Sequence, residues 1–218
     1  AQLLLTPGEL GYRETVERAR YLAVETGAYY IDQSNNPANP AAHRKTGDEI
    51  WRQMDGRIDF FVTGVGTGGH VSGAGRYLRS RNPALRVVAV EPEGAALISG
   101  RDSPETARST HGILGIGPGL LFATTDVSVI TDVFVTNRQD AYRCARDVIA
   151  KEGILVGISS GATLHAALKF AQDPENAGKR ILCMAPSQTE RYLSSDLTAE
   201  AKRYLAGLDV APPVATTA

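Results

Sequence analysis

The chain has 218 residues, 43% hydrophobic and 22% charged, and its 23 basic against 24 acidic residues leave a formal net charge of -1. That balance describes a folded globular chain of one large or two small domains; with no basic patch or long charge run it excludes the footprint of a nucleic-acid binder and points to a small-molecule or protein partner. No apolar stretch reaches the roughly 20 residues that span a bilayer, and the first residues lack a signal-peptide layout, so no membrane is expected and the cytoplasm is the default location.

In chain order, Leu3-Leu4-Leu5 predicts a short strand, Thr6-Pro7-Gly8 punctuates it, and Val16, Ala19, Leu22 and Ala23 recur at helical spacing until Gly27. Ala28 to Ile31 is a second apolar run, and Asn35-Asn36-Pro37-Ala38-Asn39-Pro40 is rich enough in turn formers to predict a loop before a helix carrying Ile50 and Trp51. Ile58 to Val62 predicts a strand that runs into Gly64, Gly66, Gly68 and Gly69 and then a helix around Tyr77 and Leu78. Val87 to Val90 is a β-branched strand, while Glu91 to Thr125 is irregular, carries Gly112, Gly115, Gly117 and Gly119, and is long enough to point to function. Val133-Phe134-Val135 predicts a strand, Asn137 the cap of a helix through Ala141, Ala145, Val148 and Ile149, and Gly153 its end. Ile154 to Gly157, a helix through Leu164 and Leu168, and the strand Ile181 to Met184 repeat the alternation. Cys144 and Cys183 read as buried small residues in a reducing compartment, with neither a disulfide framework nor a metal site expected. The tail from position 207, with Ala211-Pro212-Pro213, is expected to be disordered.

Strands alternating with helices at these intervals predict a three-layer α/β/α fold on a largely parallel sheet, with ligands at the carboxyl ends of the strands. In Gly66-Thr67-Gly68-Gly69-His70, residues without side chains let successive amides converge on an oxyanion, and Thr67 adds a hydroxyl donor. The competing reading is a turn kept small for close packing, and His70 either donates to the anion or faces solvent. Gly157-Ile158-Ser159-Ser160-Gly161 again follows a predicted strand and opens a helix, so one serine reads first as a helix cap. Its alternative is a hydroxyl set against the ring nitrogen of a heterocyclic cofactor.

Taken together, Gln33 with Asn36-Pro37-Ala38-Asn39-Pro40, then Gly64 to Gly69, Val90-Glu91-Pro92, His111 to Gly119, Glu152 to Ala162, and Glu190-Arg191-Tyr192-Leu193-Ser194 resemble the ordered landmarks of cysteine synthase, over Ala1 to about Leu197. The resemblance implies an incomplete tryptophan-synthase-β-like fold: residues 1–30 the remnant of a smaller domain, residues 31–206 a large domain binding pyridoxal phosphate. It assigns Gly66, Thr67, Gly68, Gly69 and His70 to the cofactor phosphate, Ser159 to the pyridine nitrogen, and Gln33, Gly115 and Gly117 to the substrate side. The implied reaction replaces the β-substituent of an activated serine with a sulfur nucleophile, on a small amino-acid substrate, in a homodimer. O-Acetylserine is the commonest such substrate; cystathionine β-synthase and phosphoserine-using relatives share the landmarks.

The pattern also breaks. The family's Schiff-base lysine and its serine/threonine-glycine-asparagine loop match nothing here, and Lys45, Lys151, Lys169, Lys179 and Lys202 all lie in contexts of solvated surface groups. No catalytic residue is therefore assigned, and pyridoxal phosphate is expected to bind without a covalent bond at best. His70 stands where the family usually has threonine, and Ser187-Gln188-Thr189 replaces a glycine-containing approach to Glu190. A non-catalytic module that binds the cofactor phosphate or a protein partner is the alternative reading.

Overall fold

A computed structural model describes residues 2–207. Four parallel strands, β1 (Phe60–Gly64), β2 (Arg86–Pro92), β3 (Asp132–Thr136) and β4 (Ile181–Cys183), form one sheet in the order β3-β2-β1-β4. Period-2 alternation in the central strands divides the core. Phe60, Val62, Val88 and Val90 face α4 (Arg138–Glu152) and α5 (Ile158–Ala171), packing on Ala141, Ala145, Ala162 and Ala166. Phe61, Val87 and Ala89 face the other way, onto Val71, Ala74 and Leu78 of α3 (Gly69–Arg81) and Ile50 and Trp51 of α2 (Ala38–Gln53). The sheet is thus covered on both faces, as its unbroken apolar runs require. Because β2 and β4 flank β1 on opposite sides, the carboxyl end of β1 is a topological switch point, where such sheets leave a crevice.

Several local expectations fail. Leu3, Leu4 and Leu5 form no strand and are 84%, 56% and 81% exposed. An apolar run becomes a strand only where a neighbour accepts its backbone bonds, and no described strand does. Ala28 to Ile31 is likewise irregular, with Tyr29 and Ile31 exposed, between α1 (Gly11–Thr26), closed by the left-handed Gly27, and α2. Ile154 to Gly157 contributes one antiparallel bridge, Val156 to Gln188, rather than a strand of the sheet. The predicted loop through Pro40 ends early, because α2 starts at Ala38 and Pro40 falls in its first turn, where its missing N–H costs no helical bond. Asn137 caps α4 by accepting from the Asp140 amide, and Gly153 closes it at φ 68, both as predicted. Cys144 is buried, Cys183 half-buried, and both are free thiols. The expected tail lies outside the described residues, Gly207 apart. Among the described residues no helix is long and apolar enough to cross a membrane.

Candidate functional site

Two turns that lead into helices converge at the carboxyl ends of β1 and β4. The first carries Gly66 to Gly69 into α3. Its N-cap is Gly68, at φ 83, and no side chain caps it, so the first-turn amides, which no helix can satisfy internally, are left for a ligand. Residues outside the turn hold it. Asn39, in α2, donates through Nδ2 to the Gln33 carbonyl at 2.8 Å and to Thr67 Oγ1 at 3.1 Å. With a lone pair of Thr67 occupied in this way, its own proton can be donated elsewhere. The hydroxyls of Thr124 and Thr125 lie against the Thr67 carbonyl. Packing here is close enough that a Cβ on Gly68 would sit 2.0 Å from Thr125 Oγ1, and one on Gly69 1.9 Å from Asn39 Oδ1. The close-packing reading of the glycine run therefore holds, and the missing side-chain cap leaves its first-turn amides without a side-chain partner.

His70 behaves differently from either expectation for its side chain. Its Nδ1 pairs with Thr63 Oγ1 at 3.0 Å, its ring stands edge-on to His43 and Phe61, and Nε2 is buried without a partner. Burial, helped by the neighbouring His43, pushes its pKa down to about 4, so the ring is neutral. The half-buried imidazole does not line the cleft, and its Nε2 is shut away from solvent.

The second turn opens α5 on Gly157, again without a side-chain cap. Ser159, 2% exposed, lies with its Oγ 3.0 Å from Ser187 Oγ. A Cβ built on Gly115 would be 3.5 Å from Ser159 Oγ, and one on Gly66 would be 3.0 Å from the Gly115 carbonyl, so these three residues are neighbours. Gly115 and Gly117, both at positive φ, carry the long loop past this point, and the Gly117 amide donates to Val65 O at 2.9 Å. His111 fixes the far side of that turn. The Ile113 amide donates to its Nδ1 at 3.1 Å, which leaves Nε2 as the protonated nitrogen that donates to Gly117 O at 2.8 Å. Burial lowers the His111 pKa, consistent with a neutral ring.

Gln33, Gly66, Thr67, Gly115 and Gly117 line one cleft of about 500 Å³, across which Tyr12 and Phe122 meet edge to face. Ser159 abuts the Gly115 wall; Gly68, Gly69 and His70 lie behind the Thr67 rim. Lys45, Lys151, Lys169, Lys179 and Lys202 are all exposed, and none lines the cleft. Among the described residues no three His, Cys, Asp or Glu side chains group as metal ligands.

An uncapped helix turn and a buried hydroxyl beside one cleft of a parallel sheet would suit a phosphorylated heterocycle. Residues 1–187 match the family of pyridoxal-phosphate dependent enzymes, and the chain belongs to it. It is similar to cysteine synthase 3 of Caenorhabditis elegans, 40% identical over 199 residues that cover 90% of this chain and 58% of the relative. A solved cysteine synthase from Entamoeba histolytica matches with a TM-score of 0.84 at 39% identity, covering 91% of this chain and 58% of that one. An O-ureido-L-serine synthase matches with a TM-score of 0.84 at 39% identity, covering 94% and 66%. The fold is thus the tryptophan-synthase-β-like one of the cysteine synthases, and the chain spans 58% to 66% of the length of these relatives.

Proposed function

We propose that these residues are the larger part of a cysteine-synthase-like enzyme that replaces the β-substituent of an activated serine with a sulfur nucleophile. The observation that carries this reading is the uncapped α3 turn behind the Thr67 rim of the cleft, together with the buried Ser159 hydroxyl behind its Gly115 wall. Backbone amides of Gly66 to His70 with the Thr67 hydroxyl suit a phosphate dianion, and Ser159 suits a pyridine nitrogen; pyridoxal phosphate carries both groups. His70 contributes its amide, since its ring is engaged with Thr63. When bound, the cofactor supplies the electron sink for carbanion chemistry. The chain's own part is to bind and orient: a neutral hydroxyl at the ring nitrogen limits electron withdrawal, and Gln33, Gly115 and Gly117 line the side on which a small amino acid enters. Acetylserine is the substrate we favour, and the ureidoserine chemistry in one relative's name keeps the activating group open.

Proton transfer at the substrate α-carbon requires an amine that the five exposed lysines do not bring to the cleft. A polypeptide limited to these residues therefore turns over no substrate and holds the cofactor without a covalent bond. We assign residues 1–30 to the remnant of a smaller domain and 31–206 to the large domain, in a cytoplasmic homodimer. The exposed Leu3 and Leu5 favour a second reading, a non-catalytic module that docks on a partner. The mass of the native polypeptide, read with an antibody against this chain, separates the two. A species clearly heavier than the 23.2 kDa of these residues, with sulfide-dependent cysteine formation, supports the enzyme. A native species at that mass without activity overturns it in favour of the module.

A further inference from the structure

Three hydroxyls meet behind the Gly115 wall, and the direction of the bond between two of them sets which way the Ser159 proton points. Ser160, fully buried, donates through Oγ to the Ser187 carbonyl at 3.1 Å and accepts from the Ser187 amide at 3.2 Å. Its proton and one lone pair are thus committed to the Ser187 backbone. That carbonyl also accepts from the Gly157 amide at 2.8 Å, so Ser187 is fixed against the head of α5 on both sides of its side chain. Its Oγ lies 3.0 Å from Ser159 Oγ and 3.3 Å from Ser160 Oγ. Room for it comes from Gly157, where a Cβ would sit 2.3 Å away.

Between Ser159 and Ser187 one bond uses one of two hydroxyl protons. If Ser159 donates, it has only lone pairs left for the cleft, and these repel an unprotonated ring nitrogen. If Ser187 donates, the Ser159 proton is free to turn toward the cleft. We propose that Ser187 is a positioning residue: its hydroxyl donates to Ser159 Oγ and so orients the Ser159 proton outward, which selects an unprotonated pyridine. The proposal rests on the reading of the cleft as a pyridoxal-phosphate site. It gives a role to the serine that opens the unusual Ser187-Gln188-Thr189 segment, whose Thr189 hydroxyl meanwhile ties that segment to the Val156 carbonyl at 2.8 Å.

Pyridoxine 5′-phosphate is the probe, because it has the ring nitrogen and the phosphate but no aldehyde to react with surface lysines. Its affinity for the full chain is measured by calorimetry across pH, and the ionisation of the bound ring is followed by absorbance. Ser187→Ala is expected to weaken binding by about three- to tenfold, the worth of one neutral hydrogen bond. It also raises the pKa of the bound ring nitrogen, since Ser159 is then free to accept from a pyridinium; Ser187→Thr restores both. A structural role for Ser187 alone would not move the ring pKa. Binding by the unsubstituted chain with an unchanged ring pKa in Ser187→Ala overturns the proposal and leaves the cofactor site standing. No binding by the unsubstituted chain overturns the cofactor site and the proposal with it.

Discussion

Helices α3 and α4 both follow a strand of the same sheet, yet their first turns are finished in opposite ways. At α4, Asn137 accepts the Asp140 amide and the helix closes on itself. At α3, Gly68 offers no side chain, and neighbouring residues are spent instead on gripping the turn from behind, through Asn39, Thr124 and Thr125. A helix end capped by its own side chain has its amide donors satisfied; one braced by its neighbours keeps them for something else. Both helices start at the carboxyl end of the same parallel sheet, and the difference singles out which of the two starts is left open to a ligand.

The largest effect that tests this contrast is expected from Gly68→Ala set beside Gly153→Ala. Both glycines have positive φ, 83 and 68, so alanine at either costs about 1 to 2 kcal/mol in the left-handed region. Only Gly68 adds a collision, with Thr125 at 2.0 Å, whereas a Cβ on Gly153 meets nothing within 4 Å. Crowding of that kind adds about 1 to 3 kcal/mol. Denaturant unfolding should therefore separate the two variants, and pyridoxine phosphate binding should fail in Gly68→Ala while surviving in Gly153→Ala. Equal behaviour in both assays would mean that the α3 turn is merely a turn.

Legibility in the sequence followed the range of the forces. Strands β1 and β2 were visible as apolar runs because both faces of each are buried, and Asn137 and Gly153 were visible because a cap is a local bond. Leu3-Leu4-Leu5 looked the same as a buried strand but pairs with no strand among the described residues, a fact no local window contains. At the cleft, Gly66 and Thr67 could be found from the glycine run alone, while Ser159 was singled out only through family resemblance. Asn39, hidden in a stretch that reads as turn formers, acts on Thr67 across 28 positions of sequence, and Ser187 acts on Ser159 across the same separation. Such partners are set by the sheet order, which brings β4 beside β1, and by the docking of α2 on α3.

His70 provides a smaller test of the bracing side of the turn. An imidazole whose folded-state pKa is about 4, below its ordinary 6.5, takes up a proton more readily in the unfolded chain. Its contribution to stability is therefore complete above pH 6.5 and is lost as pH falls toward 4. Melting temperature should decline across that window, and His70→Thr should decline less steeply. Because His43 and His111 are also held below the usual value by burial, the variant keeps part of the slope. Identical slopes in the two proteins would show that the ring does not resist protonation, and that its contact with Thr63 does not depend on neutrality.

The smallest effect belongs to the capped helix. Asn137→Ala removes the bond from the Asp140 amide and should destabilise the fold by about 1 kcal/mol, as loss of an N-cap usually does. The contrast predicts more than this loss. The exposed amides of α4 would now resemble those of α3 in number, but α4 has no glycine turn to shape them. Pyridoxine phosphate affinity should stay unchanged, and no second anion should bind at α4 in a phosphate titration. If phosphate did bind there, freed amides alone would suffice to make an anion site, and the bracing of the α3 turn by Asn39, Thr124 and Thr125 would need another explanation.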